Sequence, residues 1–583
     1  MMFPTDGPYV LLDDARVSGA SPARFYANPV ECLTAKTLDE VAPLLAALRS
    51  AQARGLHAAG FLGYDAGASL LPHLPAPPDG VLAWFGLFEQ YQEVMAGAMQ
   101  SFLPDPAGAW LSSLRPEISR VDYAKSFSRV QDYIRAGDIY QANLTFPLTA
   151  DYAGDPLALY AVLRPRAAAG YGGVIWTGEQ HYLSYSPELF FALKGDRVTT
   201  KPMKGTAQRS PDRVADNAEA QALRTDPKQR AENLMIVDLL RNDLSRVCEP
   251  GSVTVPVLFN VESYPTVHQM TSTVTGLLAA GNDVIDVIKA LFPCGSITGA
   301  PKIRSMQIVG EVEKRPRGIY CGSIGRIDAT GDAAFNVAIR TFTLCEATKQ
   351  VSLGLGSGIV ADSDEAAEWA ECLAKGDFAR VKSYGFDLIE TMRFEPARGI
   401  MRLEAHLERM KASAQTFGFE LDRHAIRNKL HAATFHLGTL SKVRLLSSKS
   451  GAIAIEVRPL ADTTDWDVAI MPLPVSKSDF RLHHKISDRA FYDEARNISG
   501  ADEVVFFDLD GFLTEGSITA IFVERDGVLL TPPLSRGALP SVLRGELISE
   551  GQAIEADLTP DDLGERFWVG NSVRGLINAK RVA

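Results

Sequence analysis

GSGIVADSDEAAEWAECLAK, residues 356–375, is the stretch on which the reading of the front half turns. Gly356 and Gly358 carry no Cβ and let the backbone approach a ligand closely. From Asp364 onward the residues read as a helix, with Ser363 or Asp364 as its cap. Glu368 and Glu371 are three apart and share a face, and Lys375 lies four beyond Glu371 on the same side. Two adjacent carboxylates repel each other and favour a divalent cation, and oxygen ligands of this kind suit Mg2+. The same E-x-x-E pattern also describes an ordinary solvated helix face.

Two further stretches belong to this argument. In AENLMIVDLLRNDLSRV, residues 231–247, the apolar run Leu234–Val237 followed by Leu239 and Leu240 predicts a largely buried helix. Glu232 falls in its first turn, where the helix dipole favours an anion, and is a third carboxylate candidate. Simple charge stabilisation of the terminus explains it equally. Arg241, Asn242 and Asp243 interrupt the apolar run and read as a structural ion-pair cluster. In KPMKGT, residues 201–206, Pro202 and Gly205 predict a turn from which Lys204 projects. A lysine beside a cation site and away from bulk water is less stable as an ammonium and becomes a nucleophile. An exposed loop lysine is the plain alternative.

The whole chain sets limits on these readings. Its 583 residues are too many for one ordinary core, and two to four domains are expected. Hydrophobic residues at 46% and charged residues at 22% describe a soluble globular protein. A net charge of -12 with no Lys/Arg-rich run argues against a nucleic-acid partner. No apolar run approaches the ~20 residues needed to cross a bilayer. The N-terminus lacks the pattern of a signal peptide. Six scattered cysteines without a C-x-x-C pair read as reduced thiols of a cytoplasmic protein.

Taken in order, the front-half motifs resemble the chorismate-utilising enzymes, a family that includes anthranilate, isochorismate, salicylate and aminodeoxychorismate synthases. The likeness covers residues 120–382 and runs through GDIYQANLTFP, SPELFF, KPMKGT, AENLMIVDLLRNDLSRV, VHQMTSTVTG, FPCGSITGAPK, GIYCGSIGRI, FNVAIRT and the stretch quoted first. Isochorismate and salicylate synthases carry a general-base lysine where this chain has Gln141. Anthranilate synthases usually carry alanine where it has Lys204, as aminodeoxychorismate synthase does. The resemblance therefore implies amination of chorismate to 4-amino-4-deoxychorismate. It implies Mg2+ held by Glu232, Glu371 and Glu368, a general acid in Glu188 and a nucleophile in Lys204. Gln141, His268, Thr298, Tyr320, Arg340, Gly356, Gly358 and Lys375 match positions of substrate contact. Arginine facing a carboxylate offers paired N–H donors. Ammonia is expected from a separate glutamine amidotransferase subunit, or free in solution, since no glutaminase nucleophile is evident here.

Near residues 383–386 a new unit begins. DLIETMRFE, residues 387–395, predicts a strand, and Ile400–Phe417 predicts an amphipathic helix with Leu403, Leu407, Met410, Ala414 and Phe417 on one face. Asp510-Gly511 and Asp526-Gly527 mark two hairpins. HHKISDRAFYDEAR places Lys485 just before a helix, DGFLTEGSITAIF places Glu515 between strands, and RGALPSVLRGELI opens a helix at Ser541–Arg544. Amides at a helix start make an anion site, and Arg409 adds a fixed positive charge. A lysine, a carboxylate and a phosphate cradle are what pyridoxal phosphate needs, although each piece alone is an ordinary surface feature.

Over residues 386–580 this order resembles the fold type IV pyridoxal-phosphate enzymes, which include amino-acid aminotransferases and aminodeoxychorismate lyase. The resemblance implies that Lys485 carries the cofactor, that Glu515 pairs with its ring nitrogen, and that Arg409 with the amides of Val542 and Leu543 holds its phosphate. Asn571 or Ser572 is a further contact, and a homodimer through this domain is a common assembly. Fusion to the front half favours a lyase that releases pyruvate and p-aminobenzoate for folate biosynthesis. A transaminase or a non-catalytic docking module in the second half, and an anthranilate synthase in the first, are the alternatives. The fold expected is an outer N-terminal portion at 1–120, a β-sandwich-like α/β chorismate-binding domain at 121–384, and a two-subdomain α+β unit at 385–583.

Overall fold

The computed structural model describes residues 7–71, 73–74, 80–210, 212–264, 267–380, 385–461 and 465–582. The boundary expected near 383–386 falls partly outside these residues, as does much of the proline-rich stretch at 71–80. The chain forms two compact units. The first takes the residues up to Leu103 together with Ser113–Asp151 and the part of the front half from Tyr160 on. The second takes Pro104–Ser112, Tyr152–Leu159 and the C-terminal part.

The first unit is built on two large antiparallel sheets. One runs in the order Gly299–Ala300, Gln141–Gly154, Gln350–Ile359, Thr341–Cys345, Gln180–Ser186, Tyr171–Trp176, Tyr9–Asp13, Ala23–Ala27, Gln92–Val94. The other runs Met203–Gln208, Val267–Leu277, Arg197–Lys201, Leu189–Lys194, Ala333–Asn336, Ser323–Ile327, His57–Leu62, Ala83–Phe88, Glu31–Ala35. Their inner faces share one core, with Val10, Tyr26, Ile175 and Tyr182 from the first meeting Phe61, Trp84, Phe88 and Ile324 from the second. Helices Leu38–Ala53 and Val284–Leu291 bury Leu45, Leu48, Val287 and Ile288 in a core with Phe85, Phe191 and Val198. Across the other sheet, Tyr123 and Trp369 bring helices Arg120–Arg135 and Glu365–Lys375 onto Phe146, with ring centroids 5.5 and 4.8 Å away. The β-sandwich-like expectation holds, but residues 1–120 are not peripheral to it. Tyr9–Asp13 pairs on both sides within one sheet and His57–Leu62 within the other.

Local chemistry changes two expectations. Asp226 caps the long helix Pro227–Ser245, its carboxylate accepting from Gln229 N at 2.9 Å with proline in the first helical position. The helix thus starts earlier than the apolar run, and Glu232 stands in its second turn, not its first. KPMKGT is not a free turn. Met203–Gln208 is a strand on Val267–Leu277, and the pairing slips between Met203 and Thr206 around Gly205 at φ +101°. A bulge needing a glycine gives the same local signal as a turn. Arg241, Asn242 and Asp243 do not form one ion-pair cluster among the described residues: Asp243 pairs with Lys302 at 2.6 Å and Arg241 with Asp238 at 2.9 Å.

The second unit has two subdomains. In one, the antiparallel sheet Gly399–Ile400, Leu388–Glu395, Ser441–Ser447, Ile453–Pro459 packs against helix Leu403–Phe417. Leu407, Met410, Ala414 and Phe417 of that helix are buried, as their spacing predicts. The helix begins at Leu403 rather than Ile400, because Ile400 pairs back on Phe394 and Arg402 takes a left-handed conformation at φ 55°. In the other subdomain an eight-stranded mixed sheet centres on Trp466–Pro472, parallel to both Glu503–Phe507 and Gly575–Arg581. Asp526 and Gly527 both have positive φ, as a two-residue hairpin loop requires. The two early segments complete this unit. Ala109–Leu111 pairs with Tyr152–Gly154, Trp110 meets Phe417 edge-on at 5.1 Å, and Asp105 accepts from Arg481 at 2.7 Å.

All six cysteines are free. Among the described residues no helix is long and apolar enough to cross a membrane.

Candidate active sites

In the first unit a cavity of about 210 Å3 is walled by Glu188, Lys204, Glu232, Tyr320, Arg340, Gly356, Gly358, Glu368, Glu371 and Lys375. Its floor is the strand Gln350–Ile359, hydrogen-bonded to Gln141–Gly154 with Gly356 opposite Thr145 and Gly358 opposite Asn143. A Cβ on Gly358 would stand 2.7 Å from Lys204 Nζ and 2.7 Å from Gln141 Nε2, so only glycine leaves both side chains in place. Gln141 is buried, and among the described residues both its side-chain amide atoms lack a hydrogen-bond partner. Burial lowers the pKa of Lys204, and Lys375 adds to the effect while Glu232 opposes it. Glu188 is buried and accepts from Ser296 Oγ at 2.8 Å; burial pushes its carboxyl up to about 7.

The carboxylates expected to hold a cation line this cavity together, but among the described residues no three metal-ligating side chains converge in a ready-made cluster. Like charges side by side turn to the nearest positive or hydroxyl groups instead. Glu371 pairs with Lys375 at 2.7 Å, and Ser363 Oγ donates to Glu368 at 2.6 Å. Lys375 Nζ also donates to Gly356 O at 2.9 Å, and against burial Glu371 keeps it an ammonium. Glu232 makes no ion pair among the described residues, and burial raises its pKa. Burial lowers the pKa of Arg340, whose left-handed backbone at φ 51° sets it in the wall.

Three expected contacts do not line the cavity: Gln141, which stands behind Gly358, His268 and Thr298. His268 is locked between Asp216 Oδ1 and Ser263 Oγ, both at 2.9 Å. Thr298 Oγ1 is spent on the carbonyls of Cys294 and Gly295 at 3.3 and 3.2 Å. From the same GSITG turn it is Ser296 that faces inward. The motif could have found it only as a stretch, because which residue of a turn points in depends on the fold. Lys228, Gln229 and Gln269 also line the cavity without having been expected there.

In the second unit a cavity of about 350 Å3 is lined by Lys485, Glu515, Arg409, Val542, Asn571 and Ser572, and also by His406, Arg444 and Arg489. Lys485 sits in an extended stretch between helices Phe480–His483 and Ala490–Ser499. Its carbonyl accepts from Ile389 N at 2.9 Å, which pins it to the first sheet. Burial, with Arg489 and Arg409 nearby, lowers its pKa to about 7. Glu515, in strand Leu513–Gly516, accepts from Tyr492 Oη and from Leu539 N at 2.8 Å; burial pushes its pKa up to about 7. Glu503, which the sequence did not single out, accepts from Ser517 N at 2.9 Å, Ile518 N at 3.1 Å and Thr519 Oγ1 at 2.8 Å, and so shapes the wall beyond Glu515.

Arg409 is not free. Its Nε and Nη2 donate to Glu390 at 2.9 and 2.6 Å, and its Nη1 donates to Pro540 O at 3.0 Å. His406 bridges Glu390 at 2.5 Å and Ser572 Oγ at 2.7 Å. Val542 opens an eight-residue helix whose N-cap Ser541 makes no side-chain cap, which leaves its first amides available. The Leu543 side chain lies in the core with Phe522 and Leu547 and is not on the cavity wall. Asn571 holds its own turn: its Oδ1 accepts from Val573 N and Arg574 N at 3.0 Å each.

Residues 8–380 match the family model of the chorismate binding enzymes. The chain belongs to that family. Residues 387–582 match the class IV amino-transferases, so a chorismate binding unit is followed by a unit of a second enzyme family. The aminodeoxychorismate synthase component 1 of Klebsiella aerogenes is 40% identical over 342 residues, which is 54% of this chain and 75% of that one. The anthranilate synthase component 1 of Streptomyces coelicolor is 39% identical over 271 residues, covering 46% of this chain and 53% of that one. The crystal structure of anthranilate synthase component I from Streptococcus pneumoniae superposes with a TM-score of 0.53 at 26% identity, covering 65% of this chain and 94% of that one.

Proposed function

We propose that the chorismate binding unit aminates chorismate to 4-amino-4-deoxychorismate, and that the class IV unit eliminates pyruvate from that product to leave p-aminobenzoate, a step toward folate. The observation that carries the first reaction is Lys204, a buried amine in one cavity with a protonatable Glu188 and a wall of carboxylates. Glu188 donates a proton to the departing 4-hydroxyl of the ring. Lys204, as free amine, attacks C2 as the hydroxyl leaves as water. Ammonia then adds at C4 and expels the lysine, so that one water is lost for one ammonia gained. Arg340 faces a substrate carboxylate. Glu232, Glu368 and Glu371 offer the hard oxygen donors that Mg2+ takes, and the unpaired Glu232 fits a cation site. Mg2+ bound there neutralises a carboxylate of the substrate and holds it. A separate glutamine amidotransferase is the proposed source of ammonia, and the free cysteines agree with a cytoplasmic setting.

The second cavity fits pyridoxal phosphate by its donor set: a lysine of low proton affinity, a buried acid for a ring nitrogen, and uncapped helix amides at Val542 for a phosphate. Arg409, tied to Glu390, supports that end as a fixed charge. The cofactor supplies an electron sink for the carbon that bears the amine. Lys485 holds it and moves the C4 proton of the substrate, while Glu515 keeps the ring nitrogen protonated. A transaminase is the second reading, favoured by the class IV match itself.

Supplying the full chain with chorismate, Mg2+, ammonium and pyridoxal phosphate tests the proposal. p-Aminobenzoate and pyruvate are expected in equal amounts without added keto acid. Accumulated 4-amino-4-deoxychorismate would support the first reaction and defeat the second; anthranilate would defeat the first.

A further inference from the structure

Arg489 lines the second cavity and has no assigned task. Two contacts fix it: its Nη2 donates to Ser517 O at 3.0 Å, and its guanidinium lies over the Tyr492 ring at 4.4 Å. Its Nη1 is cut off from water and has no hydrogen-bond partner. No carboxylate reaches it within ion-pair distance among the described residues; of those in the cavity wall, Glu515 is occupied by Tyr492 and Leu539, and Asp493 by Arg496. Of the other arginines that line the cavity, Arg409 is paired with Glu390 and Arg496 with Asp493, Arg444 is exposed, and Arg574 lies over the Trp466 ring at 5.4 Å. A dehydrated guanidinium with unfilled N–H donors beside a cavity is short of an anionic oxygen. Arg489 is also the charged group that acts most strongly on both Lys485 and Glu515, which sets it close to where the chemistry is proposed.

We infer that Arg489 is a carboxylate receptor, whose guanidinium binds a carboxylate group of the second unit's substrate beside Lys485. The inference rests on reading this cavity as the pyridoxal-phosphate site. It does not depend on whether the reaction there is elimination or transamination, because both substrates carry carboxylates. A planar fork bound by paired N–H donors discriminates strongly between a carboxylate and an uncharged amide of the same shape.

The test uses the full chain loaded with pyridoxal phosphate, titrated with benzoate and separately with benzamide, with binding followed through the visible absorbance of the cofactor. Benzoate is expected to bind at least tenfold more tightly than benzamide. Arg489→Gln should weaken benzoate about tenfold, leave benzamide unchanged and alter cofactor affinity less than twofold. Arg489→Lys, which keeps the charge but loses the fork, should fall between. The inference is overturned if the unaltered protein shows no preference for benzoate, or if Arg489→Gln leaves that preference intact. It is equally overturned if the variant loses cofactor affinity tenfold, since Arg489 would then serve the cofactor. Failure of p-aminobenzoate formation with the benzoate result intact would count against the elimination reading alone.

Discussion

Arg409 grips Glu390 with two donors, at 2.9 and 2.6 Å, and the carboxylate is almost wholly shut off from solvent. The sequence offers Arg409 as a free positive charge for a phosphate; the fold spends that charge first on a buried partner. Removing one member of such a pair strands the other. Arg409→Met should lower the stability of the second unit by about 3–5 kcal/mol in urea unfolding. Arg409→Met with Glu390→Gln should recover much of the loss.

The same pair sets an acid limit. Burial alone would raise the pKa of Glu390, but Arg409 and His406 hold it down at about 2, below the ordinary 4.5. A carboxylate depressed on folding stabilises above its unfolded pKa and loses that contribution as pH falls through the folded one. Unfolding of the second unit should steepen between pH 4.5 and 2. Glu390→Gln should flatten that limb, as read by circular dichroism against pH.

In the first unit, Glu188 must carry its proton to act as an acid, and its pKa is about 7. The amination rate should therefore fall on the alkaline side of neutrality. Glu188→Gln should abolish that limb and reduce kcat by roughly 10²–10⁴. An unchanged alkaline limb in the variant would remove Glu188 from the reaction.

Gly358 offers a test that replaces no reacting group. A methyl there would stand 2.7 Å from Lys204 Nζ. Gly358→Ala should displace the amine and lower kcat for amination by about 10², with the melting temperature nearly unchanged.

Lys485→Ala separates the two halves. The variant should show none of the visible absorbance of bound pyridoxal phosphate and form no pyruvate, while amination continues and 4-amino-4-deoxychorismate accumulates. Pyruvate released at the normal rate would remove Lys485 from the second site.

Much of the fold is written in local spacing. Leu407, Met410, Ala414 and Phe417 recur at helical intervals, and all four are buried. Asp526-Gly527 announces its hairpin because few other residues adopt positive φ twice in succession. The sites are less legible, for a physical reason. A glycine beside a lysine reads the same in a turn and in a bulge, so the spacing of KPMKGT points to Lys204 but does not reveal its strand. The apolar run places Glu232 a turn too early, because Asp226-Pro227 starts the helix before that run does. His268 and Thr298 carry the right chemistry, but partners more than four residues away or a neighbouring carbonyl claim it. Ser296, Glu503 and Arg489 lie in no periodic pattern, and only the packing of distant elements gives them their surroundings.

The segments Pro104–Ser112 and Tyr152–Leu159 make the join between the two enzyme families more than a tether. A gene split at codon 385 would produce a C-terminal fragment without Trp110 against Phe417 or Asp105 against Arg481. A freestanding C-terminal protein would have to replace those contacts with residues of its own.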